Sequence, residues 1–246
     1  MNRIEAILFD FGGTLDGDGV DWFTRFFAGI RQYDTDTANP QLVEYAKQAS
    51  ADITALPDVH SWSMHTTATR LCRRIHELAQ DHSDTVLAWN PDDIADEFMT
   101  QASRSLQRSR EVLASLRQHF RLGVVSNNWG NAQGWCDQFA LSEYLDCVID
   151  SAVVGAAKPA PEIFEAALAI LELPPDVCVY VGDRYDSDVL GARNAGLTSV
   201  WVRPAQGTAG NGPADSSLIP EVDCITTLAK LLNLAWVPAA AALEPK

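Results

Sequence analysis

The feature that most restricts the fold is the alternation of short apolar segments with amphipathic segments after residue 107. The predicted strands are 121–127, 146–151, 177–183 and 198–204, and the predicted helices between them are 131–141, 160–173 and 186–197. Strands that are apolar along their whole length and separated by helices are typical of a parallel sheet with both faces covered. Segment 4–10 is another strand of this type, so the sequence predicts an α/β fold with a doubly wound, Rossmann-like parallel sheet.

The intervening part of the chain has helical spacing of its apolar residues. Four such segments, 21–33, 39–53, 65–82 and 90–103, are separated at Pro40, Pro57 and Pro91. We therefore predict a helical domain of residues 18–105, inserted into a core formed by residues 1–17 and 106–235. Within the core we expect a Gly/Pro/Ala/Ser-rich loop at 205–217 and a last strand and helix near 221–234. Residues 236–246 are expected to be a disordered tail.

Charge and composition exclude several classes of function. The net charge is −15, which repels phosphate backbones and anionic lipids, so we expect no nucleic-acid and no membrane partner. The N-terminal apolar segment is broken by Asp10 and lacks a small-residue cleavage site, so it is not predicted to be a signal peptide. The five cysteines are scattered, without a CxxC pair, and predict neither a zinc site nor a disulfide framework. A cytoplasmic location fits these observations best.

Polar residues follow four of the predicted strands. They are Asp10, Gly12, Gly13 and Thr14 after the first strand, Ser126 and Asn127 after the second, Lys158 after the third, and Gly182, Asp183, Asp186 and Asp188 after the fourth. In a doubly wound sheet, ligands bind beyond the carboxyl ends of the strands. An acidic nucleophile, a hydroxyl, a lysine and an acidic cluster meeting there can build a phosphoryl-transfer site, in which carboxylates hold Mg²⁺ and the cations neutralise phosphate charge.

The same four segments resemble the motifs of the haloacid dehalogenase superfamily. The family's first motif, an apolar strand followed by D-x-D-G-T-L/V, appears as "DFGGTL", and its second, a strand ending in Ser or Thr, as "VVSNN". Its lysine motif appears as "AAKPAPEIF" and its acidic motif as "VGDRYDSD". The order and spacing agree across nearly the whole chain, and the helical insertion corresponds to the family's cap.

The resemblance implies a role for each matching residue. Asp10 would be the nucleophile that forms an aspartyl-phosphate, and Lys158 would neutralise charge beside it. Ser126, Asn127 and Gly13 would bind the phosphoryl group. Mg²⁺ would be held by Asp10, the backbone carbonyl of Gly12 and Asp183, with Asp188 as a ligand or as support for the ligands. The substrate would be a small phosphorylated metabolite chosen by the cap; its identity and the oligomeric state are left open by the sequence.

Several neighbouring residues have simpler explanations. We expect Asp16 and Asp18 to belong to a solvated turn. The aromatic residues Trp22, Phe23, Phe26 and Phe27 are expected to form the core of the cap. His60 and His65 are expected at the cap surface.

One position departs from the family pattern, because Gly12 stands where the family has a second aspartate. That aspartate protonates the leaving oxygen and then activates water, and such groups contribute about 10²–10⁴-fold. Asp16, Asp18 or a cap histidine could replace it, or the substrate could have a good leaving group, such as an acyl phosphate. We therefore predict a Mg²⁺-dependent phosphatase, acting on a phosphoric monoester or an acyl phosphate. The alternatives are a catalytically weak or inactive binding protein on the same scaffold and, less favoured because of the acidic cluster, a haloacid dehalogenase.

Overall fold

The computed structural model describes residues 3–33, 40–83, 86–204 and 223–241. Its centre is a sheet of six parallel strands in the order β3-β2-β1-β4-β5-β6. The strands are β1 (Ala6–Phe9), β2 (Arg121–Ser126), β3 (Cys147–Asp150), β4 (Cys178–Gly182), β5 (Thr198–Val202) and β6 (Asp223–Ile225). This arrangement confirms the predicted α/β fold with a doubly wound parallel sheet. The predicted loop at 205–217 lies outside the described residues.

The two faces of the sheet belong to separate apolar clusters. Ile7 and Phe9 of β1 point into one cluster, and Ala6 and Leu8 point into the other, because successive side chains of a strand alternate. Burial on both faces explains why these strands are apolar throughout. The core helices that follow them are α5 (Ala132–Gln138), α6 (Ser151–Val154), α7 (Pro161–Leu171) and α8 (Gly191–Asn194), with a π-helical turn at Tyr185–Leu190 before α8.

Four longer helices separate β1 from β2. They are α1 (Trp22–Tyr33), α2 (Pro40–Thr54), α3 (Met64–Asp81) and α4 (Pro91–Leu116). The N-terminus of α3 is capped by the Ser63 side chain, which accepts from the Thr66 amide at 3.1 Å. Asn90 caps α4 in the same way, accepting from the Asp92 amide at 3.0 Å, and Pro91 occupies the first turn.

Helix α4 runs through the predicted boundary between residues 105 and 106. Its buried side, which includes Ala102, Leu106 and Leu113, continues across that point without a glycine or proline to end the helix. In its second half, the Ser109 hydroxyl donates to the Leu15 carbonyl at 2.6 Å, so this half packs against the loop after β1. The passage from the helical segment back to the sheet is therefore made within one helix.

The C-terminal segment packs against the core further than predicted. After β6, a 3₁₀ helix spans Leu228–Asn233 and another spans Ala239–Ala241. Val237 and Ala241 are buried, so the part of the predicted tail up to residue 241 is packed, and residues 242–246 lie outside the described chain. None of the helices among the described residues combines the length and the hydropathy needed to span a membrane.

Candidate active site

Asp10 lies at the carboxyl end of β1, in the middle of the sheet. Its amide donates to the Val181 carbonyl of β4 at 2.9 Å, which fixes the residue between the two central strands. The turn Phe11–Leu15 follows at once. Gly13 in this turn has φ +86°, and a Cβ there would lie 2.5 Å from Asp183 Oδ2. The second glycine of "DFGGTL" is therefore required both by its backbone conformation and by the approach of Asp183.

Lys158 is buried beside Asp10. Its Nζ lies 2.7 Å from Asp10 Oδ1 and 2.8 Å from Asp188 Oδ1. It also donates to the Tyr180 hydroxyl at 2.8 Å. Burial acts to lower the pKa of Lys158, but the charges of Asp10 and Asp188 outweigh it and raise that pKa above its usual value. The ammonium is therefore held in its charged form between two carboxylates.

Two residues hold Lys158 in place. The Asn127 side chain accepts from the Lys158 amide at 2.8 Å and donates to the Lys158 carbonyl at 3.0 Å. Tyr180, which donates onward to the Val125 carbonyl at 2.7 Å, receives the third bond of the ammonium. The sequence predicts that the amides around Asn127 bind phosphate, which stays a prediction; the Asn127 side chain fixes the lysine backbone in this geometry.

Three buried carboxylates converge at this point. One oxygen from each of Asp10, Asp183 and Asp188 lies within 4.8 Å of the other two. The Arg184 amide donates to Asp188 Oδ2 at 2.9 Å, and Thr14 Oγ1 donates to Asp183 Oδ1 at 3.2 Å. Asp183 Oδ2 is buried without a hydrogen-bond partner among the described residues.

The charge of this triad fits a divalent cation. Burial, and then the charges of Asp10 and Asp188, raise the pKa of Asp183 well above its ordinary value. Burial also raises the pKa of Asp188, although Lys158 acts in the opposite direction. Three carboxylates against one ammonium leave an excess of negative charge, and the unpartnered oxygen of Asp183 offers a ligand. Oxygen ligands of this kind suit Mg²⁺ or a related hard cation.

Ser126 and Gly13 lie next to this centre. Ser126 is buried at the end of β2 and lines a cavity of about 140 Å³ that Gly12 also lines. The Gly13 amide donates to Asp16 Oδ1 at 2.6 Å. The expectation that Gly13 binds phosphate is therefore not supported for its amide, because that donor is already used within the loop.

Position 12 is open on its side-chain face. Gly12 has φ −76°, an ordinary value for any residue, and a Cβ there would lie 3.5 Å from Trp22 Nε1. Trp22 Nε1 in turn donates to Asp16 Oδ2 at 2.7 Å. The missing aspartate thus leaves a gap bordered by an indole ring rather than a collapsed loop.

In the turn predicted to be solvated, Asp16 is buried, Asp18 is partly buried, and both carboxylates form ion pairs. Asp16 is fully buried and pairs with Arg25 at 2.8 Å, in addition to its bonds from Trp22 and the Gly13 amide. Asp18 pairs with Arg108 at 2.9 Å and accepts from the Leu228 amide at 3.1 Å. Neither carboxylate is free to serve as a replacement acid in this geometry.

The aromatic residues and histidines of the helical insertion divide between packing, the cavity and the surface. Trp22 and Phe26 are buried in the larger apolar cluster and Phe23 and Phe27 pack against it, while Trp22 and Phe23 also line the cavity. His65 is exposed and pairs with Asp96 at 2.8 Å, and His60 is exposed beside Gly130. Neither histidine lines the cavity.

The structure brings to the site several further residues that the sequence did not predict. Tyr180 contacts the lysine, and Trp129, Trp135 and Arg184 line the cavity. Tyr180 is the one polar-tipped residue in its strand, which was the only available signal. Asp21 also lines the cavity, and its carboxylate accepts from the amide and the hydroxyl of Thr24 at 3.1 and 2.6 Å.

Two larger cavities lie away from this centre. One, of about 450 Å³, lies between helices α2 and α3, and the other, of about 470 Å³, lies at the opposite end of the sheet.

Comparison with known families agrees with the geometry. The family model of the haloacid dehalogenase-like hydrolases matches residues 4–196. This chain belongs to that family. The resemblance found in the sequence is thereby confirmed, and with it the assignment of the chain as a haloacid dehalogenase-like hydrolase.

Several relatives of this haloacid dehalogenase-like hydrolase are named as phosphatases. The chain is 31% identical over 128 residues to 5-amino-6-(5-phospho-D-ribitylamino)uracil phosphatase YigB of Escherichia coli, covering 52% of this chain and 51% of the relative. It is 34% identical over 104 residues to a glyceraldehyde 3-phosphate phosphatase of Pyrococcus abyssi, covering 41% and 43%. It is 34% identical over 112 residues to the human haloacid dehalogenase-like hydrolase domain-containing protein 3, covering 46% and 43%. The chain spans about half the length of these relatives.

Solved structures show the same fold. The hydrolase YfnB of Bacillus subtilis, bound to magnesium, has a TM-score of 0.57 at 16% identity, covering 94% of this chain and 98% of that one. The L-2-haloacid dehalogenase of Xanthobacter autotrophicus has a TM-score of 0.56 at 17% identity with the same coverage. Since phosphatases and dehalogenases share this fold, the fold does not choose between these two reactions.

Proposed function

We propose that this hydrolase is a Mg²⁺-dependent phosphatase that acts on a small phosphorylated metabolite through Asp10. The supporting observation is the buried contact of Lys158 with Asp10 and Asp188, next to the oxygen of Asp183 that lacks a partner. A dehalogenase needs no such acidic triad, because its substrate carries no phosphoryl group whose negative charge a bound cation would balance. The phosphatase names of the relatives support the same choice.

In the first step, a carboxylate oxygen of Asp10 attacks the phosphorus atom. A bond forms between that oxygen and phosphorus, and the bond to the leaving oxygen breaks with its electron pair, which produces an aspartyl-phosphate. Water then attacks phosphorus, releasing phosphate and restoring the carboxylate. Lys158 holds Asp10 in position and balances negative charge throughout, and the Ser126 hydroxyl would bind a phosphoryl oxygen.

A metal ion would complete the charge balance. Asp10, Asp183 and the carbonyl of Gly12 would hold Mg²⁺, with Asp188 as a ligand or as support for the ligands. When bound, the ion supplies positive charge against the transferring phosphoryl group. Asn127 acts in this scheme as a positioning residue, because its side chain holds both backbone groups of Lys158. We also propose that helices α1 to α3 and the first half of α4 are the cap that selects the substrate.

The setting of the protein is part of the same proposal. A net charge of −15 disfavours nucleic-acid and membrane partners, so the partner is a small molecule. Among the described residues none of the five cysteines forms a disulfide, which fits a reducing, cytoplasmic location.

A second function, binding without turnover, is favoured by Gly12 together with the engaged state of its neighbours. Asp16 and Asp18 are both committed to ion pairs, so neither supplies the missing proton donor. Such a protein would show a rise in melting temperature with Mg²⁺ and phosphate, but no release of phosphate from esters or acyl phosphates.

The test is a screen of phosphate esters and acyl phosphates with Mg²⁺, using the wild type and Asp10→Asn. Phosphate release that disappears in Asp10→Asn is expected, and Asp186→Asn is the matched control because Asp186 is exposed and outside the triad. Turnover that persists in Asp10→Asn would contradict the mechanism. Release of chloride from 2-chloropropionate, without any phosphate release, would instead identify a dehalogenase.

A further inference from the structure

The cavity next to the triad has aromatic walls. Trp22, Phe23, Trp129 and Trp135 line it together with Gly12 and Ser126. Trp22 and Trp135 are stacked with centroids 5.2 Å apart and an interplanar angle of 14°. Trp129 is tilted against Trp22, with centroids 6.4 Å apart. A group that enters this cavity therefore meets ring faces and edges on several sides.

The N–H groups of the three indole rings are already used elsewhere. Trp22 donates to Asp16 at 2.7 Å, and Trp129 donates to Thr54 Oγ1 at 2.9 Å. Trp135 donates to a backbone carbonyl of the cap at 3.0 Å. The rings are thereby fixed in orientation, and what they offer to the cavity is apolar surface rather than hydrogen bonds. Phe23 and Trp129 are only partly buried, so they are the faces open to a ligand.

The position of the cavity decides which part of a substrate it receives. The phosphoryl group has to reach Asp10. The buried side of that residue is filled by Lys158 and by the other two carboxylates of the triad. The rest of the substrate must extend into open space. The cavity provides that space, and it meets the site at Gly12 and Ser126. Its volume of about 140 Å³ is close to the roughly 150 Å³ of an apolar cavity that is known to bind benzene.

The chemistry of position 12 leads to the same class of compound. Without an acid at Gly12, the leaving oxygen departs unprotonated, which favours an oxygen whose charge is delocalised. We propose that the substrate is an aryl phosphate whose ring stacks on Trp129 and Phe23 as the phenolate departs. In this step the bond between phosphorus and the phenolic oxygen breaks, the electron pair stays on that oxygen, and solvent protonates it afterwards. This inference rests on the proposed phosphatase activity.

The test separates stacking from leaving-group acidity. It compares phenyl phosphate with hexafluoroisopropyl phosphate, a non-aromatic ester whose alcohol is about as acidic as phenol. For the wild type, kcat/KM is expected to be about tenfold higher for the phenyl ester, a size typical of stacking on one aromatic side chain. Trp129→Leu should remove this preference, and Trp129→Phe should restore most of it. Trp236 lies outside the cavity, so Trp236→Leu should leave the preference for the phenyl ester unchanged.

A binding measurement covers an enzyme that turns over slowly. The dissociation constants of benzylphosphonate and cyclohexylmethylphosphonate, which differ in aromaticity, are measured by calorimetry on the Mg²⁺-loaded protein. Tighter binding of the benzyl compound, lost in Trp129→Leu, is expected. Equal kcat/KM for the two esters or equal binding of the two phosphonates would overturn the aromatic preference and leave the phosphatase proposal standing. Absence of turnover with both esters, while benzylphosphonate still binds more tightly, would overturn the phosphatase activity alone.

Discussion

Replacing Gly12 with aspartate would put a proton donor where the loop has none. The backbone at position 12 has φ −76°, and a new Cβ would meet only Trp22, at 3.5 Å from Nε1 and 3.7 Å from Cδ1. These are ordinary van der Waals distances, so the variant Gly12→Asp is expected to fold without strain. The added carboxyl group lies two residues from Asp10, at the wall of the cavity that would receive the leaving group in the proposed reaction.

The expected gain depends on the leaving group. A general acid contributes about 10²–10⁴-fold, or about 2.7–5.4 kcal/mol of barrier. An alkyl phosphate, which must expel an alkoxide, should gain an amount in this range. An aryl phosphate needs little protonation, so its kcat/KM should change by less than about tenfold. A plot of log kcat/KM against leaving-group pKa should therefore be steep for the wild type and nearly flat for Gly12→Asp.

The assay is phosphate release from a series of aryl and alkyl phosphates at fixed Mg²⁺. Gly12→Asn is the matched control, because it has the same size and no acidic proton, and it should keep the steep dependence. An equal gain in Gly12→Asn would refute the proton-transfer argument. A flat wild-type plot would mean that a surrogate acid exists, and Asp21→Asn would then identify or exclude the carboxylate that lines the cavity.

Three further predictions test the site and its support, the last of them by comparing two variants. Asp183→Asn should raise the melting temperature of the metal-free protein at neutral pH and abolish the increase of that temperature with Mg²⁺. Because the pKa of Asp183 is raised in the folded state, the free energy of unfolding falls as pH rises from the unfolded pKa of about 3.9 towards the folded value. A metal-free melting curve unchanged by the variant would contradict this. Gly13→Ala should cost about 1–3 kcal/mol in urea unfolding, because a Cβ at φ +86° meets the Asp183 carboxylate. Arg25→Met should lower the free energy of unfolding by about 3–5 kcal/mol, because it leaves Asp16 buried without its ion pair. Arg108→Met breaks an exposed pair and should lower it by about 0–1 kcal/mol. Equal losses in the two variants would show that burial does not govern the strength of the two pairs.

The convergence of the charged residues could be predicted from the sequence because of a simple geometric rule. Asp10, Lys158 and Asp183 each follow a different strand, and the carboxyl ends of parallel strands meet at one edge of the sheet. Such a rule places backbone positions and says nothing about individual side-chain partners. It therefore brought Asn127 to the site but did not show that its amide group would hold the lysine backbone.

The environment of Asp16 could not be predicted, because the local sequence indicates the wrong environment. The glycines and aspartates around Asp16 are typical of an exposed turn. Its burial depends on Arg25 and Trp22, which return to the turn only because α1 starts at residue 22 and packs against the core cluster. The aromatic cavity is similar, since Trp129 and Trp22 lie on separate elements and no local pattern links them.

The continuity of α4 has a consequence for the angular setting of the helical insertion. The helix has 26 residues and a length of about 39 Å, with one half among helices α1 to α3 and the other against the loop after β1. Inserting one residue near its middle would turn everything on one side by about 100° relative to the other and advance it by about 1.5 Å. The number of residues in α4 therefore sets which side of the helical insertion faces the site. Exchange of the cap between relatives would preserve that facing only where the helix length is matched.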